Sequence, residues 1–578
     1  MAMSPGQAAT VDAAFRSPNY RAITAKADMA PVTMTGKDLT IEALLRVAQD
    51  GAPVALSAEA RERSADAYGL LLQGAAEGVT IYWFNRGTGD QRETSIFSGD
   101  PTTAENDAIV RQRQAAFFTE PAVTYGPEVD SEELVRAIMA IRVNSMSYEA
   151  ASPSLTQMLI DLLNRRITPV INSRGTVGEG DLSIMHEIGM VMVGKGEAYY
   201  QGKRMSGADA LRRAGLKPLV PLGADDSALI STNAVAIART ALLVATVRAM
   251  LDWADISTAM AMLGMNSSVT PLSTPVQSAR PYLWLNWDAA RVLAMLRGSY
   301  LLDADPNRII QDPESLRASP QRIGSAWQAW ARLRDTVLLA MNSSDHNPAV
   351  RVGARPTDSW ELSTPEMLRF HVKGGPLSHG KSGYILSNAN WDPYPMANDI
   401  EALTLALGNA GVVFNQRIDR FKSPFFTAVR PQDILDTDAQ RRHLTVGDYL
   451  ASDLAIELNG LLMPVTPQGQ AIASGVEDLQ AATRQKLDRA EKAVDLTGRL
   501  IALDLMTSAS WLDVRRAQQR GRSFGPVVEA VRRALRTDAQ GGEMGVPALD
   551  TGEKINAFIE ANPASRFLTE ATMPPTPQ

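Results

Sequence analysis

The sequence contains no cysteine, few histidines and no excess of positive charge, and each of these absences excludes a class of function. Without cysteine the chain has no disulfide bond, no thiolate metal site and no cysteine nucleophile. Histidine provides only 5 of 578 residues, with no pair at the helical spacing of a metal site. Lys and Arg number 57 against 64 Asp and Glu, a net charge of −7 without a basic block. We therefore expect no metal site and no nucleic-acid partner.

Long apolar segments are also scarce. The N-terminal residues lack the apolar core of a secretion signal, and no uninterrupted apolar run reaches the length that spans a bilayer. We expect a cytoplasmic protein without membrane contact. A chain of 578 residues exceeds one hydrophobic core. The predicted parts are a flexible tail (1–35), an active-site-loop domain (36–225), a central long-helix bundle (226–510) and a C-terminal helical region with a tail (511–578).

Apolar residues recur at helical spacing over most of the chain. Ser57 is a predicted N-cap, and strand signals are confined to residues 79–84, residues 167–171 and a hairpin in 199–204. The pattern predicts an all-α fold, with a long central helical bundle and a smaller, mixed N-terminal domain. The predicted helices cover 40–49, 57–77, 131–146, 154–165, 207–213, 225–255, 286–302, 321–341, 397–415, 445–463 and 475–508.

The stretch from Asn172 to Ser183 combines glycines and acids between a short apolar run and a helical pattern. Glycine allows backbone conformations that other residues avoid, so this stretch can form a tight loop. Asp181 is placed to cap the helix that follows it. An ordinary glycine-rich turn with a cap would explain the stretch equally well, so its neighbours along the chain must decide whether it is functional.

A series of motifs along the chain indicates that the stretch is functional. They are Ile81-Tyr-Trp-Phe-Asn-Arg-Gly-Thr-Gly89, Val177-Gly…Gly180-Asp-Leu182, Gly196-Glu-Ala-Tyr-Tyr-Gln-Gly-Lys-Arg-Met205, Gln311-Asp-Pro-Glu-Ser-Leu-Arg317, Asn342-Ser-Ser-Asp-His-Asn-Pro348 and Glu457-Leu-Asn459. Together they resemble the aromatic amino-acid ammonia-lyase and aminomutase superfamily, whose members act on histidine, phenylalanine and tyrosine. The resemblance runs from about Leu39 to about Asp495. It implies the helical ammonia-lyase fold, with Tyr82 on the catalytic tyrosine and Arg317 on an arginine that binds the substrate carboxylate.

The resemblance also implies an assembly. Family members are homotetramers in which each pocket draws residues from several chains. We therefore expect a homotetramer with shared active sites, in which the runs 231–244, 397–415 and 445–463 face partner subunits. Tyr82, Arg317 and Glu457 of one site then need not belong to one chain.

The departures from the family pattern fall on the expected pocket. In the family, the glycine-rich loop contains Ala-Ser-Gly, which cyclises and dehydrates to the electrophilic methylidene-imidazolone group. Here the matching segment is Gly178-Glu-Gly-Asp181, without a serine to lose water. The resemblance thus implies a member that lacks the Ala-Ser-Gly triad of this group, and no cofactor is expected. Other family positions also change: Ser231 replaces an asparagine, Glu314 a tyrosine and His346 an aspartate, and Trp391-Asp392-Pro393 replaces Phe-His-Gly.

Candidate roles follow from these matches and changes. Tyr82 is the predicted general acid/base, with Arg86 stabilising its phenolate. Arg317 is the predicted carboxylate ligand, or else forms a structural ion pair with Glu314 or Asp312. Glu179 is a second acid/base group, an anchor for a substrate ammonium, or a helix-dipole acid. The resemblance alone adds pocket candidates at Glu314, Asn347, His346, Asp392, Glu457 and Ser231.

Three functions remain open at this point. The first is an enzyme that performs elimination, addition, isomerisation or cyclisation on a small carboxylate- or amine-bearing molecule without the methylidene-imidazolone group. The second is a catalytically silent paralogue that binds a ligand or a partner subunit. The third is a conventional amino-acid ammonia-lyase, which would need an unrecognised source of the electrophile.

Overall fold

A computed structural model describes residues 19–430, 448–466, 469–518, 521–535, 551–568 and 573–577. Most of the predicted N-terminal tail and the start of the predicted 445–463 helix lie outside these ranges. The structure is 58% helix and 8% strand, which confirms the mostly helical fold.

Helices account for most of the described chain, and the longest of them are Ala234–Met265, Ser319–Met341, Tyr394–Arg420 and Thr483–Gln518. The Ser57 hydroxyl accepts a hydrogen bond from the backbone N–H of Ala60, which confirms its predicted role as an N-cap. The remaining α-helices are Ile41–Ala48, Ala58–Ala76, Ala104–Thr119, Glu132–Ser145, Pro153–Arg165, Leu182–Met192, Gly207–Arg213, Asp225–Ile230, Thr274–Ser278, Leu283–Met295, Glu314–Arg317, Pro365–Leu368, Pro424–Thr427, Asp448–Asn459, Pro526–Ala534 and Thr551–Ala561.

The described strands form small sheets of two or three strands. Val32–Met34 pairs with Val54–Leu56 in parallel, and Tyr125–Glu128 pairs with Asn172–Arg174 in antiparallel. The predicted hairpin is confirmed as Glu197–Tyr200 and Lys203–Ser206, with Ile167–Pro169 on its outer edge. Another antiparallel sheet joins Gly383–Leu386 to Ala349–Val352 and His371–Val372.

Several local predictions were wrong. The predicted 286–302 helix ends at Met295, and the predicted 475–508 helix begins only at Thr483. Residues 79–84 form a series of turns rather than a strand, because the Asn85 side chain binds the backbone of both Ile81 (2.8 Å) and Val79 (2.8 Å). The predicted 225–255 helix is interrupted: one helix ends at Ile230 and the next begins at Ala234. Apolar periodicity continues through the break, so the pattern alone could not reveal it.

The chain divides into two compact units that are discontinuous in sequence. The first unit comprises Met1–Leu242, Asp335–Ala397 and Thr466–Gln485, and the second comprises Leu243–Arg334, Asn398–Val465 and Lys486–Gln578. In the first unit a buried apolar cluster that includes Leu70, Ile81, Phe84, Val350, Val372 and Ile385 forms a core. The predicted boundaries ran in sequence order, whereas these units combine distant segments.

One apolar stretch is longer than the sequence analysis allowed. Asp225–Met265 is long and apolar enough to cross a membrane by length and composition, with a mean hydropathy of 1.7, but 67% of its most apolar window is buried inside the protein. A buried core helix has the same composition, because its whole circumference meets apolar neighbours.

Candidate functional site

Tyr82 lies on a tightly held turn of the first unit. Its neighbours Ile81 and Phe84 are buried in the apolar core, at 1% and 4% exposure. Trp83 adopts a left-handed conformation (φ 61°), which is uncommon for a large side chain. The indole N–H of Trp83 donates to Asp226 Oδ2 over 3.0 Å, and a buried carboxylate acceptor of this kind can hold the strained residue in place. The core packing and this hydrogen bond therefore hold the turn that carries Tyr82 in one conformation.

The environment of Tyr82 does not make its phenol more acidic, contrary to our expectation. Burial raises the pKa of Tyr82, and Glu477 raises it further, while the Gly89 N–H and Arg92 lower it in part. The Gly89 N–H donates to the Tyr82 hydroxyl over 3.3 Å. Arg86 donates to the carbonyl oxygen of Asn85 over 3.4 Å, so this hydrogen bond is not with the Tyr82 phenol, and its role beside the phenolate stays a prediction. Tyr82 is therefore a protonated phenol near neutral pH, suited to donate a proton.

The glycine-rich loop packs against the segment that precedes the 483–518 helix. Gly178 has a positive φ of 93°, and a Cβ added there would lie 2.4 Å from the Thr483 nitrogen. The Ala482 N–H donates to the Val177 carbonyl (3.0 Å), and the Thr483 hydroxyl donates to the Gly178 carbonyl (3.2 Å). Glycine is thus required at residue 178 both by conformation and by space.

Glu179 sits at the centre of this loop with an incompletely satisfied carboxyl group. It is 6% exposed, and its Oε2 atom is buried without a hydrogen-bond partner among the residues that the structure describes. Burial raises the pKa of Glu179 to about 7, and the nearby carboxyl groups of Asp392, Glu477 and Asp478 raise it as well, against a lowering hydrogen bond from the Ala481 backbone. A carboxyl group with such a pKa can accept or donate a proton near neutrality.

Segment 473–483 connects Tyr82 with Glu179. Glu477 raises the pKa of both groups, so it lies within electrostatic reach of each. At one end of the segment, a Cβ on Gly89 would meet the Ala473 side chain at 3.3 Å. Segment 473–483 therefore lies close to both Tyr82 and Glu179.

Asp181 was predicted to cap the helix that begins directly after it, and this prediction was wrong. Its side chain makes no capping bond to that helix. Asp181 Oδ2 instead accepts hydrogen bonds from the backbone N–H groups of Val235 (3.0 Å) and Ala236 (3.1 Å), at the start of the 234–265 helix. These orphan N–H groups and the helix dipole favour an anion, although complete burial raises the pKa of Asp181 to about 6. The loop is thereby fixed to the first turn of a long helix.

Residues 231–233, between the two helices, form hydrogen bonds that support the glycine-rich loop. Asn233 Oδ1 accepts a hydrogen bond from the Gly180 N–H (2.8 Å), and the Asn233 side-chain amide donates to the carbonyl oxygen of Trp391. Asp345 Oδ2 in turn accepts from the Thr232 hydroxyl (2.9 Å) and the Asn233 N–H (2.5 Å). These contacts hold the loop and the break as one structure.

Several residues predicted from the resemblance do lie in this neighbourhood. The Ser231 hydroxyl accepts from the Asn347 N–H over 3.4 Å. His346 is 2% exposed with an unpartnered Nδ1, and burial beside Arg142 lowers its pKa to about 3, so it is neutral. Asp392 contributes negative charge near Glu179. The structure thus gathers Tyr82, Glu179, Ser231, His346, Asn347 and Asp392 in the first unit.

Arg317, Glu314 and Glu457 belong to the second unit. Arg317 Nε donates to the carbonyl oxygen of Asp312 (2.9 Å), and Arg317 Nη2 pairs with Glu314 (3.3 Å). The pair with Glu314 is the structural ion pair that we considered as the alternative to carboxylate binding, whereas the contact with Asp312 is to its backbone carbonyl. Glu457 is half-exposed and pairs with Lys492 over 3.3 Å.

Sequence reasoning missed Asn233, Asp345 and Glu477. Asn233 had a detectable signal, because it lies two residues after Ser231 in the segment where an asparagine seemed to be lost. Asp345 is adjacent to His346 and was passed over for it. Glu477 is half of an acidic pair in a Gly- and Ala-rich turn, and no local pattern marks such a pair as functional.

The residues of the loop do not fit the methylidene-imidazolone group that the resemblance implies for this fold. Gly178-Glu179-Gly180 offers no serine, and the buried Oε2 of Glu179 occupies the middle of the loop. The tripeptide does occur elsewhere in the chain, as Ala473-Ser474-Gly475, so our statement that the triad is absent holds for the loop alone.

That second stretch does not suit cyclisation either. Ser474 and Gly475 are exposed. The Gly475 N–H donates to the Ile472 carbonyl (3.0 Å), and the Ala473 carbonyl accepts from Val476 (3.3 Å). Ring closure would require the Gly475 nitrogen to bond to the Ala473 carbonyl carbon, at the cost of both hydrogen bonds.

Comparisons with known proteins match most of the chain. The family model for aromatic amino acid lyases matches residues 39–537. A histidine ammonia-lyase from Treponema denticola is 27% identical over 508 residues, which cover 87% of this chain and 92% of that protein. Another, from Stigmatella aurantiaca, is 25% identical over 540 residues, covering 92% of this chain and 98% of that one.

Solved structures share the fold. The ergothioneine-degrading ergothionase of Treponema denticola, in complex with desmethyl-ergothioneine sulfonic acid, superposes with a TM-score of 0.77 at 23% identity, over 93% of this chain and all (100%) of that one. Pantoea agglomerans phenylalanine aminomutase also gives a TM-score of 0.77, at 22% identity, over 91% of this chain and 98% of that one. The predicted helical ammonia-lyase fold is thus confirmed.

Proposed function

Since this chain belongs to the aromatic amino acid lyase family, we propose that it is a lyase whose chemistry depends on Tyr82 and Glu179 rather than on a methylidene-imidazolone electrophile. The observation that carries the proposal is the Glu179 carboxyl group in the family loop. It is buried, Oε2 lacks a partner, and its pKa is raised to about 7. Burying a carboxyl oxygen without a hydrogen-bond partner destabilises the fold, so such a group is typical of a site that contacts a ligand or transfers a proton.

The environments of the two groups suggest complementary roles. Glu179 near neutrality can remove a proton from a substrate carbon, whose C–H electron pair then forms the new double bond as the bond to the amine nitrogen breaks. An ammonium nitrogen leaves as the neutral amine and needs no proton. A neutral amine nitrogen would receive its proton from Tyr82, which retains it because its pKa is raised. Proton transfer through solvent from Glu179 to the Tyr82 phenolate restores both groups. In the family, the methylidene-imidazolone group would supply an electron sink. In this protein, the proton transfers by Glu179 and Tyr82 would equally assist addition, isomerisation or cyclisation.

The charge around the loop suggests a substrate with a cationic nitrogen. Asp392, Glu477 and Asp478 each lie near enough to Glu179 to raise its pKa. A cluster of carboxyl groups favours an ammonium or another cationic group over an anion. A small amine-bearing molecule is therefore the proposed substrate class, and histidine is one amino acid to test because two relatives are histidine ammonia-lyases. Arg317 remains the proposed ligand for its carboxylate.

The direct test is substrate discovery with matched variants. Purified protein would be incubated with a mixture of small amines and amino acids, histidine, phenylalanine and tyrosine included, and consumption followed by mass spectrometry. Tyr82→Phe and Glu179→Gln should each abolish turnover of any substrate found. Tyr282→Phe, which removes a half-exposed hydroxyl outside the site, should retain it. Undiminished turnover by Tyr82→Phe would refute the role of the tyrosine, and ligand binding without turnover would favour the silent paralogue.

The proposed homotetramer has support from exposed apolar side chains of the second unit. Leu405 and Val412 are 51% and 44% exposed on the 394–420 helix, and Tyr449 and Ile456 are 90% and 72% exposed on the 448–459 helix. Each pair is seven residues apart, so each lies on one helix face. Exposed apolar stripes of this kind are typical of protein interfaces. The run 231–244 is instead mostly buried within its own chain, and we no longer propose it as an interface.

Shared active sites can be tested by subunit mixing. If one site combines Tyr82 of one chain with Arg317 of another, inactive Tyr82→Phe and Arg317→Ala proteins should recover activity when they are dissociated together and reassembled. A stable monomer in sedimentation would contradict the assembly, and a tetramer without recovery would contradict the sharing. We also propose the cytoplasm as the location, which cell fractionation would test.

A further inference from the structure

The second unit contains a cluster of four tryptophans outside the candidate active site. Ring centroids of Trp287 and Trp327 are 5.1 Å apart, those of Trp327 and Trp330 5.5 Å, and those of Trp284 and Trp287 5.4 Å. All four are at most 8% exposed. Edge-to-face contacts of this kind stabilise the cluster beyond the area that it buries.

Two arginines stack on this cluster and fix its outer edge. The Arg291 guanidinium lies 4.9 Å from the Trp287 ring centre, and that of Arg248 lies 5.0 Å from the Trp327 ring centre. Asp252 binds both cations, with Arg291 at 2.5 Å and Arg248 at 3.4 Å. The stacking and the shared carboxylate immobilise Trp287. We call the surface formed by Arg248, Asp252, Trp287 and Arg291 the indole groove.

The C-terminal segment 573–577 lies on the indole groove. The indole N–H of Trp287 donates to the carbonyl oxygen of Pro574 over 3.3 Å. Residues 573–576 line a cavity of about 670 Å³ together with all four residues of the groove. The preceding C-terminal helix is anchored in the same unit, because the indole N–H of Trp253 donates to the Asn562 carbonyl over 3.1 Å.

The sequence of this segment, Met573-Pro-Pro-Thr-Pro577, favours a polyproline II conformation at every residue. Proline fixes φ near the polyproline value, and a residue before proline is driven to the same region. Each residue from 573 to 577 is a proline or precedes one. A polyproline helix has three residues per turn and makes no internal hydrogen bonds, so its carbonyl groups are open to external donors.

Met573, Pro574 and Pro577 are partly covered, whereas Pro575 and Thr576 are exposed. A proline-rich segment beside an indole N–H that donates to a proline carbonyl resembles the way in which aromatic-lined grooves bind proline-rich peptides. We infer that the indole groove is a polyproline-binding site whose occupant is the chain's own C-terminal segment.

The test uses full-length proteins and a fluorescent peptide with the sequence of residues 573–577. In wild type the tethered tail competes at high effective concentration, so peptide binding measured by fluorescence anisotropy should be weak. The full-length variant Pro574→Ala/Pro577→Ala, whose tail is no longer held in the polyproline conformation, should bind the peptide at least about tenfold more tightly. Adding Trp287→Phe should remove roughly 3- to 10-fold of that affinity, the effect of one lost hydrogen bond.

Two controls do not depend on the folding of Trp287→Phe. Trp360→Phe, which changes an 82% exposed tryptophan of the first unit, should leave peptide binding unchanged. A peptide with alanine in place of the first and last prolines should bind poorly. Equal binding of this peptide, or no gain in affinity when the tail prolines are replaced, would overturn the assignment.

Discussion

Glu179→Gln gives the sharpest test of the electrostatics of the loop. Glutamine keeps the shape of the side chain but cannot ionise, so it imitates the protonated carboxyl group. Burial and nearby carboxyl groups raise the pKa of Glu179 from 4.5 to about 7. In the folded protein the group therefore holds its proton over a pH range in which the unfolded chain has already released it.

The sign of the stability change follows from proton binding. Between the two pKa values the folded state binds more protons than the unfolded state, so the free energy of unfolding falls as pH rises. Below the unfolded value of 4.5 no stability is lost, and above about 7 the loss is complete. The pKa difference corresponds to roughly 3 kcal/mol, of which about 2 to 3 kcal/mol falls between pH 5 and pH 8. Glu179→Gln should remove this contribution.

Urea unfolding at pH 5 and pH 8, followed by tryptophan fluorescence, would measure the effect. The wild type should lose about 2 to 3 kcal/mol more than Glu179→Gln between the two pH values. Glu59→Gln, which changes an exposed carboxyl group in the first turn of the 58–76 helix, should follow the wild type. Identical pH dependence of wild type and Glu179→Gln would refute the raised pKa and with it the proposed proton-transfer role.

Three further predictions concern the loop and its supports. Intact-mass measurement should find no loss of two water molecules, since neither stretch fits the prosthetic group; a protein lighter by that mass would contradict this, and Ser474→Ala would show whether 473–475 had cyclised. Asn233→Ala should lower the free energy of unfolding by about 1 to 3 kcal/mol, because the buried Gly180 N–H loses its acceptor; an unchanged urea midpoint would contradict that support. Gly178→Ala should destabilise more than Gly202→Ala, because both glycines have positive φ but only Gly178 has backbone atoms in the path of a Cβ; equal losses would show that conformation alone requires the glycine.

Prediction from sequence succeeded where a property depends on residues close in the chain. The Ser57 cap, the 207–213 helix and the hairpin near 199–204 are local, and the structure contains all three. The turn at 79–84 was misjudged because its β-prone side chains were outweighed by Asn85, which binds the backbone at both Val79 and Ile81. Side-chain bonds to the backbone compete with a strand without changing its apolar pattern.

Assignment of roles within the site was less successful. Arg86 follows Tyr82 closely in sequence, but its guanidinium binds a backbone carbonyl, and the pKa of Tyr82 rises through burial and Glu477. Asp181 precedes one helix and caps another. For Asp181, proximity along the chain was taken for proximity in space.

The amino-acid sequence by itself determined the mostly helical fold and the family, and it showed that a glutamate stands in the loop where a serine was expected. Periodic apolar residues and ordered motifs suffice for that. Only the tertiary structure decided that the pKa of Glu179 is raised to about 7 and that the pKa of Tyr82 is raised rather than lowered. Those properties arise because folding removes water from both groups and brings carboxyl groups such as Asp392 and Glu477, hundreds of residues away in the chain, within electrostatic range.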